Sequence, residues 1–105
     1  MSSSDPPTTG SLLDLPEMRP ALLDTATVER LFADLAFETS VLGILVKGGA
    51  SDRAREEAPT LRAAREVLLS GEAEGVQIRF VHRGVEYWDT VMRTPLGFRL
   101  VRVRK

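Results

Sequence analysis

The stretch that decides the fold is the C-terminal third, which reads VQIRFVHRGVEYWDTVMRTPLGFRLVRV from Val76 to Val103. It contains three segments of strand character, which are residues 76–81, 85–92 and 98–103. Gly84 supplies the positive φ of a short hairpin loop, and Pro95 presets φ in a four-residue turn. The pattern predicts an antiparallel meander whose first loop has three residues, 82–84.

The length of that first loop decides which side chains share a face of the sheet. Three loop residues place Ile78 opposite Trp88, and one face then holds the core set Val76, Ile78, Phe80, Trp88 and Met92. The other face then holds Gln77, Arg79, Val81, Tyr87, Asp89 and Val91. A loop of two residues instead places Phe80 opposite Tyr87 and Arg79 opposite Trp88. We favour the first register because it buries the larger aromatic ring.

The last strand has apolar residues in two phases. Phe98 and Leu100 share one phase, and Val101 and Val103 share the other. This pattern implies either a β-bulge near Leu100 or partial cover on both faces of the strand.

The preceding residues predict two helices and one more strand. Apolar residues recur at helical spacing between 25 and 36, at Val28, Leu31, Phe32 and Leu35. A second helix is expected to begin at Pro59 and to end at Gly71. Residues 39–47 include the β-branched Thr39, Val41, Ile44 and Val46 and are followed by two glycines. This composition favours a strand, although periodicity alone also allows a helix.

These elements predict a single α+β domain over residues 21–105, with the element order α-β-α-β-β-β. Both helices would lie on one face of a four-stranded mixed sheet that ends in the three-stranded antiparallel meander. Residues 1–20 are small, polar and proline-rich at the start, and we expect a disordered or loosely docked tail.

The strand at 39–47 is expected at an edge of the sheet, because the tight turns make the other three strands neighbours. Its apolar composition is typical of a strand that is buried on both faces, and an uncovered apolar edge promotes association. The predicted partner-binding residues at this edge are Val41, Leu42, Ile44 and Val46. The leucine-rich segment Leu12, Leu13 and Leu15, a second copy of the chain, or a different protein would cover it. The same leucines are a possible docking peptide.

Charge is distributed unevenly along the chain. The first fifty residues carry a net charge of −4 and the last thirty carry +5. The basic third either pairs with the acidic half of its own fold or attracts an anionic partner such as a nucleic acid. The sheet-face residues predicted to contact a partner are Arg79, Tyr87, Asp89 and Arg99.

The sequence offers no set of catalytic residues. The absence of cysteine excludes disulfides, thiolate metal sites and a cysteine nucleophile, and His82 is the only histidine. We therefore expect no enzyme activity, no cofactor and no metal. Asp89, with Tyr87 and Trp88, is the one candidate for a small-ligand pocket. The alternative for Asp89 is a cross-strand contact with Arg79 or Gln77.

The segment from Tyr87 to Leu100 resembles the closing hairpin of NTF2-like α+β domains. The resemblance covers only this hairpin, and the upstream residues leave no room for the helices and long strands of that family. No site is carried over from it.

The sequence thus predicts a small non-enzymatic accessory protein, an assembly factor or an adaptor, that binds a protein partner or forms a homodimer. The alternatives are a nucleic-acid-binding module and a small-ligand pocket at Tyr87, Trp88 and Asp89. No segment approaches the roughly 20 apolar residues of a membrane span. The first residues have no basic residue before an apolar stretch, so we expect no secretory signal peptide. We expect a cytoplasmic location and no membrane contact.

Overall fold

The computed structural model describes residues 12–14, 18–48 and 60–105. A single 3₁₀ turn, Leu12–Asp14, precedes the first strand. The strands and helices follow in the order β1 (Met18–Leu23), α1 (Thr25–Glu38), β2 (Ser40–Lys47), α2 (Leu61–Ser70), β3 (Gly75–His82), β4 (Val85–Thr94) and β5 (Gly97–Arg104).

The five strands form one sheet in the order β1-β5-β4-β3-β2, and every neighbouring pair is antiparallel. The α+β class and the C-terminal meander are confirmed. The expected four-stranded mixed sheet is wrong, because β1 is a fifth strand and no described pair is parallel. Pro20 lies in β1, which is an edge strand, where a missing N–H does not interrupt a ladder. Residues 1–11 and 15–17 of the expected tail lie outside the described residues.

Both helices begin at a polar cap. The Asp24 Oδ1 atom accepts a hydrogen bond of 2.8 Å from the Thr27 N–H at the start of α1. The Thr60 hydroxyl oxygen accepts one of 3.0 Å from the Ala63 N–H at the start of α2. These bonds satisfy backbone donors that the first turn of a helix leaves unpaired. Gly71 ends α2 with a φ of 91°, a conformation that favours glycine.

The two helices cover one face of the sheet, and the core lies between the helices and that face. The predicted stripe of α1 is confirmed, since its four apolar residues are all buried. The core contains Leu13, Val28, Leu31, Phe32, Leu35, Ala64, Leu68, Val76, Ile78, Phe80, Val91, Phe98 and Leu100. We call this side of the sheet the covered face, and the opposite side the open face.

The turn between β3 and β4 has two residues, so the expected three-residue loop is wrong. Arg83 and Gly84 have φ values of 54° and 81°, and positive φ at both positions is the signature of a type I′ turn. Phe80 therefore pairs with Tyr87, and Arg79 pairs with Trp88. Trp88 and Met92 belong to the open face, whereas Tyr87, Asp89 and Val91 belong to the covered face. A type I′ turn is favoured because its twist matches the twist of the strands.

The last strand pairs regularly with β4 from Gly97 to Arg104, so the first of the two alternatives, a bulge near Leu100, does not occur in that ladder. The pairing of this strand with β1 is irregular between Met18 and Ala21, which face Arg102 and Leu100. Phe98 and Leu100 are buried in the core, and Val101 and Val103 lie on the open face. The two apolar phases thus correspond to the two faces of the sheet.

Replacing Arg83 by asparagine is expected to raise the free energy of unfolding by about 0.5–1 kcal/mol. Asparagine tolerates the left-handed conformation better than arginine does and is preferred before glycine in this turn. Thermal unfolding followed by circular dichroism measures the change. Gly84→Ala is the matched control and should lose about 1 kcal/mol, because a Cβ there meets no atom within 4 Å and only the backbone conformation opposes it. A Gly84→Ala variant with an unchanged free energy of unfolding would contradict the turn type.

Candidate interaction surface

Asp89, which the sequence offered as a candidate for a small-ligand pocket, forms a buried ion pair. The Arg102 guanidinium donates two hydrogen bonds of 2.8 Å to it, from Nε to Oδ1 and from Nη2 to Oδ2. Both side chains are completely buried. Burial raises the pKa of Asp89, and the hydrogen bonds and charge of Arg102 oppose that rise. The expected contact with Arg79 or Gln77 is wrong, since Gln77 bonds to Thr90.

The same arginine holds the N-terminal leucines against the domain. Arg102 Nη1 donates to the Leu12 carbonyl at 2.7 Å, and the Leu12 N–H donates to Asp34 Oδ2 at 3.2 Å. Leu13 is only 2% exposed. These two leucines therefore pack beside α1 and β5 and do not cover β2. They would have to leave the core to act as a docking peptide, and Leu15 lies outside the described residues.

The candidate pocket of Tyr87, Trp88 and Asp89 does not form. These three residues are consecutive in β4, so Trp88 points away from the other two. The structure therefore does not bring these three side chains together on one face of the sheet. His82 is buried with Nδ1 3.4 Å from the Glu38 carbonyl oxygen. Within the described ranges, no three His, Asp or Glu side chains are grouped to hold a metal.

A row of four residues crosses the middle of the open face. The pairing places Gly43, Arg79, Trp88 and Val103 side by side on β2, β3, β4 and β5. The Arg79 guanidinium lies 5.6 Å from the Trp88 ring centroid, and Lys105 Nζ lies 4.3 Å from it. Cations at these distances are attracted to the electron-rich face of an indole. The Trp88 ring therefore fixes two positive charges on the open face.

The rest of the open face carries exposed apolar and basic side chains together with one carboxylate. Leu22 and Leu45 are more than half exposed. Arg99 lies on β5, where it pairs with Leu22 of β1 and Met92 of β4. The Glu86 carboxylate on this face accepts a hydrogen bond of 2.8 Å from Trp88 Nε1. Of the four predicted sheet-face residues, Arg79 and Arg99 lie here. The placement of Tyr87 and Asp89 on the same face is wrong, because the two-residue turn reverses the faces of β4.

The strand β2 forms one edge of the sheet, as the sequence predicts, and its neighbour is β3. Val41 and Leu42 are exposed, whereas Ile44 and Val46 pack against the core. The role of these four residues in binding stays a prediction. Leu45 was not among them and, at 55% exposed, is the most accessible apolar side chain of the strand.

The two edges of the sheet differ in how readily they can accept another strand. In β1, Pro20 lacks an N–H and the pairing with β5 is irregular between Met18 and Ala21. Pro and irregular pairing both hinder edge-to-edge association. In β2 the irregularity falls at Leu42, and pairing is regular from Gly43 to Lys47. The β2 edge is thus the more accessible of the two.

Sequence reasoning did not single out Gly43, which lies beside Arg79 in the candidate surface. An isolated glycine within a strand pattern indicates a bulge or the close approach of another group. Both occur here, since the bulge is next to it and the Arg79 side chain lies over it.

No family model, curated protein or solved structure matches this chain. Among the described helices, none combines the length and the apolar character needed to span a membrane.

A double-mutant cycle tests the structural role of the Asp89–Arg102 pair. Asp89→Leu or Arg102→Met alone should cost about 3–5 kcal/mol, because each leaves a buried group without its partner. The combination Asp89→Leu with Arg102→Met should cost much less than the sum, with about 1–3 kcal/mol remaining for the unpaired Leu12 carbonyl. Urea unfolding measures these values, and strictly additive losses would contradict the proposed coupling.

Proposed function

We propose that this protein is a small non-enzymatic accessory protein that binds an extended segment of another protein at the β2 edge and on the adjoining open face. The observation that carries the proposal is the regular run from Gly43 to Lys47, whose outer edge is not covered by any other strand or helix of the described ranges. It combines an accessible backbone edge with an apolar and basic sheet face, and neither helix covers either of them.

Strand addition fits the chemistry of this edge. An outer strand leaves every second N–H and C=O free, and an added strand satisfies these groups through main-chain hydrogen bonds. The exposed Leu45 side chain offers apolar area to alternate side chains of the added strand. Backbone bonds would supply affinity, and the side chains of the open face would supply selectivity.

A second copy of the chain is a less complementary occupant than a different protein. If two β2 strands paired antiparallel around Leu45, Lys47 of the second copy would stand opposite Gly43 and beside Arg79. Two like charges brought side by side on one face of a sheet are destabilising. The strand itself contains no acidic residue that would compensate.

Nucleic-acid binding has weaker support because the basic residues divide between the two faces. Arg102 is buried in its ion pair, and Arg93 turns to the covered side, where it donates to the Leu68 carbonyl. The open face presents Trp88 as its only aromatic ring among the described residues. Recognition of single strands usually uses several stacking rings beside a continuous basic groove.

Leu45→Lys should abolish binding at the β2 edge without unfolding the domain. A charge at an exposed edge position opposes strand addition, and surface substitutions usually change stability by less than about 0.5 kcal/mol. The measurement is capture from native extract with quantitative mass spectrometry, combined with light scattering of the free protein. Proteins held by the wild type should be absent from Leu45→Lys samples.

Leu96→Lys is the matched control. Leu96 lies in the β4–β5 turn and is 83% exposed, so the same substitution adds the same charge away from β2. The control should retain every partner. An unchanged capture profile for Leu45→Lys would overturn the proposal, and a dimer that Leu45→Lys dissociates would assign the edge to a second copy instead.

A further inference from the structure

We infer that the β2 edge selects a partner strand that carries a carboxylate side chain, and that Arg79 binds this carboxylate across Gly43. The inference rests on the proposed function, because it specifies the chemistry of the strand that would be added.

Arg79 reaches the free edge because position 43 has no side chain. A Cβ built on Gly43 would lie 3.1 Å from Arg79 Cζ and still closer to Nη2. The guanidinium therefore occupies the space that a side chain at position 43 would fill. On its other side it stacks beside Trp88. Arg79 thus extends from β3 over β2 and presents its donors at the edge of the sheet.

The guanidinium is available for a partner. Arg79 is exposed, and across the described part of the chain no carboxylate lies within salt-bridge distance of it. The nearby Glu86 accepts the hydrogen bond from Trp88. Lys105, above the same ring, adds a second positive charge. An acidic side chain that approaches this edge therefore meets net positive charge.

The spacing of a β-sheet brings an added strand within reach of Arg79. Neighbouring strands lie about 4.8 Å apart, and directly opposed residues on one face have Cβ atoms roughly 5 Å apart. The residue opposite Gly43 on an added strand would project its side chain onto the open face beside the guanidinium. An aspartate or glutamate there can accept two parallel N–H bonds from a planar guanidinium.

The test compares two capped seven-residue peptides of alternating valine and threonine, one with a central glutamate and one with a central glutamine. Trp88 is the only tryptophan and stacks beside Arg79, so its fluorescence reports binding to the intact protein. The glutamate peptide should bind at least about tenfold more tightly, as expected for a charge-assisted hydrogen bond.

Two variants should remove this preference while keeping the fold. Arg79→Gln deletes the guanidinium. Gly43→Ala keeps it but displaces it, and the backbone accepts alanine because Gly43 is not among the positive-φ residues. Both should bind the two peptides equally, with unchanged melting temperatures. Arg99→Gln is the matched control, since it removes the same charge from the same face on β5 and should retain the tenfold preference.

The possible failures are distinguishable. Equal binding of both peptides by the wild type would overturn the role of Arg79 and leave strand addition intact. Binding of neither peptide would remove the proposed function and this inference together. Loss of the preference in Arg99→Gln would reduce the effect to general charge attraction and overturn the assignment to Arg79.

Discussion

The two-residue turn at Arg83 and Gly84 determines which face of the sheet each residue of β4 and β5 occupies. Side-chain direction alternates along a strand, so a change of one residue in this turn would exchange the two faces of both strands. The observed register buries Asp89 against Arg102 and leaves Trp88 on the open face beside Arg79. The position of the N-terminal segment depends on the same register, because Arg102 also donates a hydrogen bond to the Leu12 carbonyl.

The register follows from the apolar residues of two strands rather than from one aromatic ring. The β4–β5 pairing links the faces of these strands, so Trp88 shares a face with Val101 and Val103, while Tyr87 and Val91 share one with Phe98 and Leu100. Phe98 and Leu100 carry more apolar area than two valines, so the face that holds them with Tyr87 and Val91 is the one that forms the core. Burial of the Asp89 charge is then compensated by the bidentate arginine.

Much of the fold could be predicted from local signals. Helical spacing identified α1, turn residues identified the meander, and adjacency placed β2 at the edge. β1 could not be predicted, because Pro20 argues against a strand unless that strand lies at an edge. The edge position of β1 depends on its pairing with the distant β5, which the local sequence does not indicate. Arg79, Arg99 and the edge residues of the candidate surface were identified from composition. The role proposed for Gly43 could not be identified in this way, because that role depends on which side chain of β3 lies over Gly43.

The asymmetry between the two edges explains how an apolar edge can be specific. The bulge at Leu42 limits regular pairing on β2 to Gly43–Lys47, so main-chain bonds alone provide a short and unselective contact. In the proposed complex, Arg79, held at that edge by Trp88, would add a charge that favours acidic strands. It would also repel a second β2, which carries Lys47 and no carboxylate. Under this proposal the same guanidinium would oppose self-association and promote binding of a different chain.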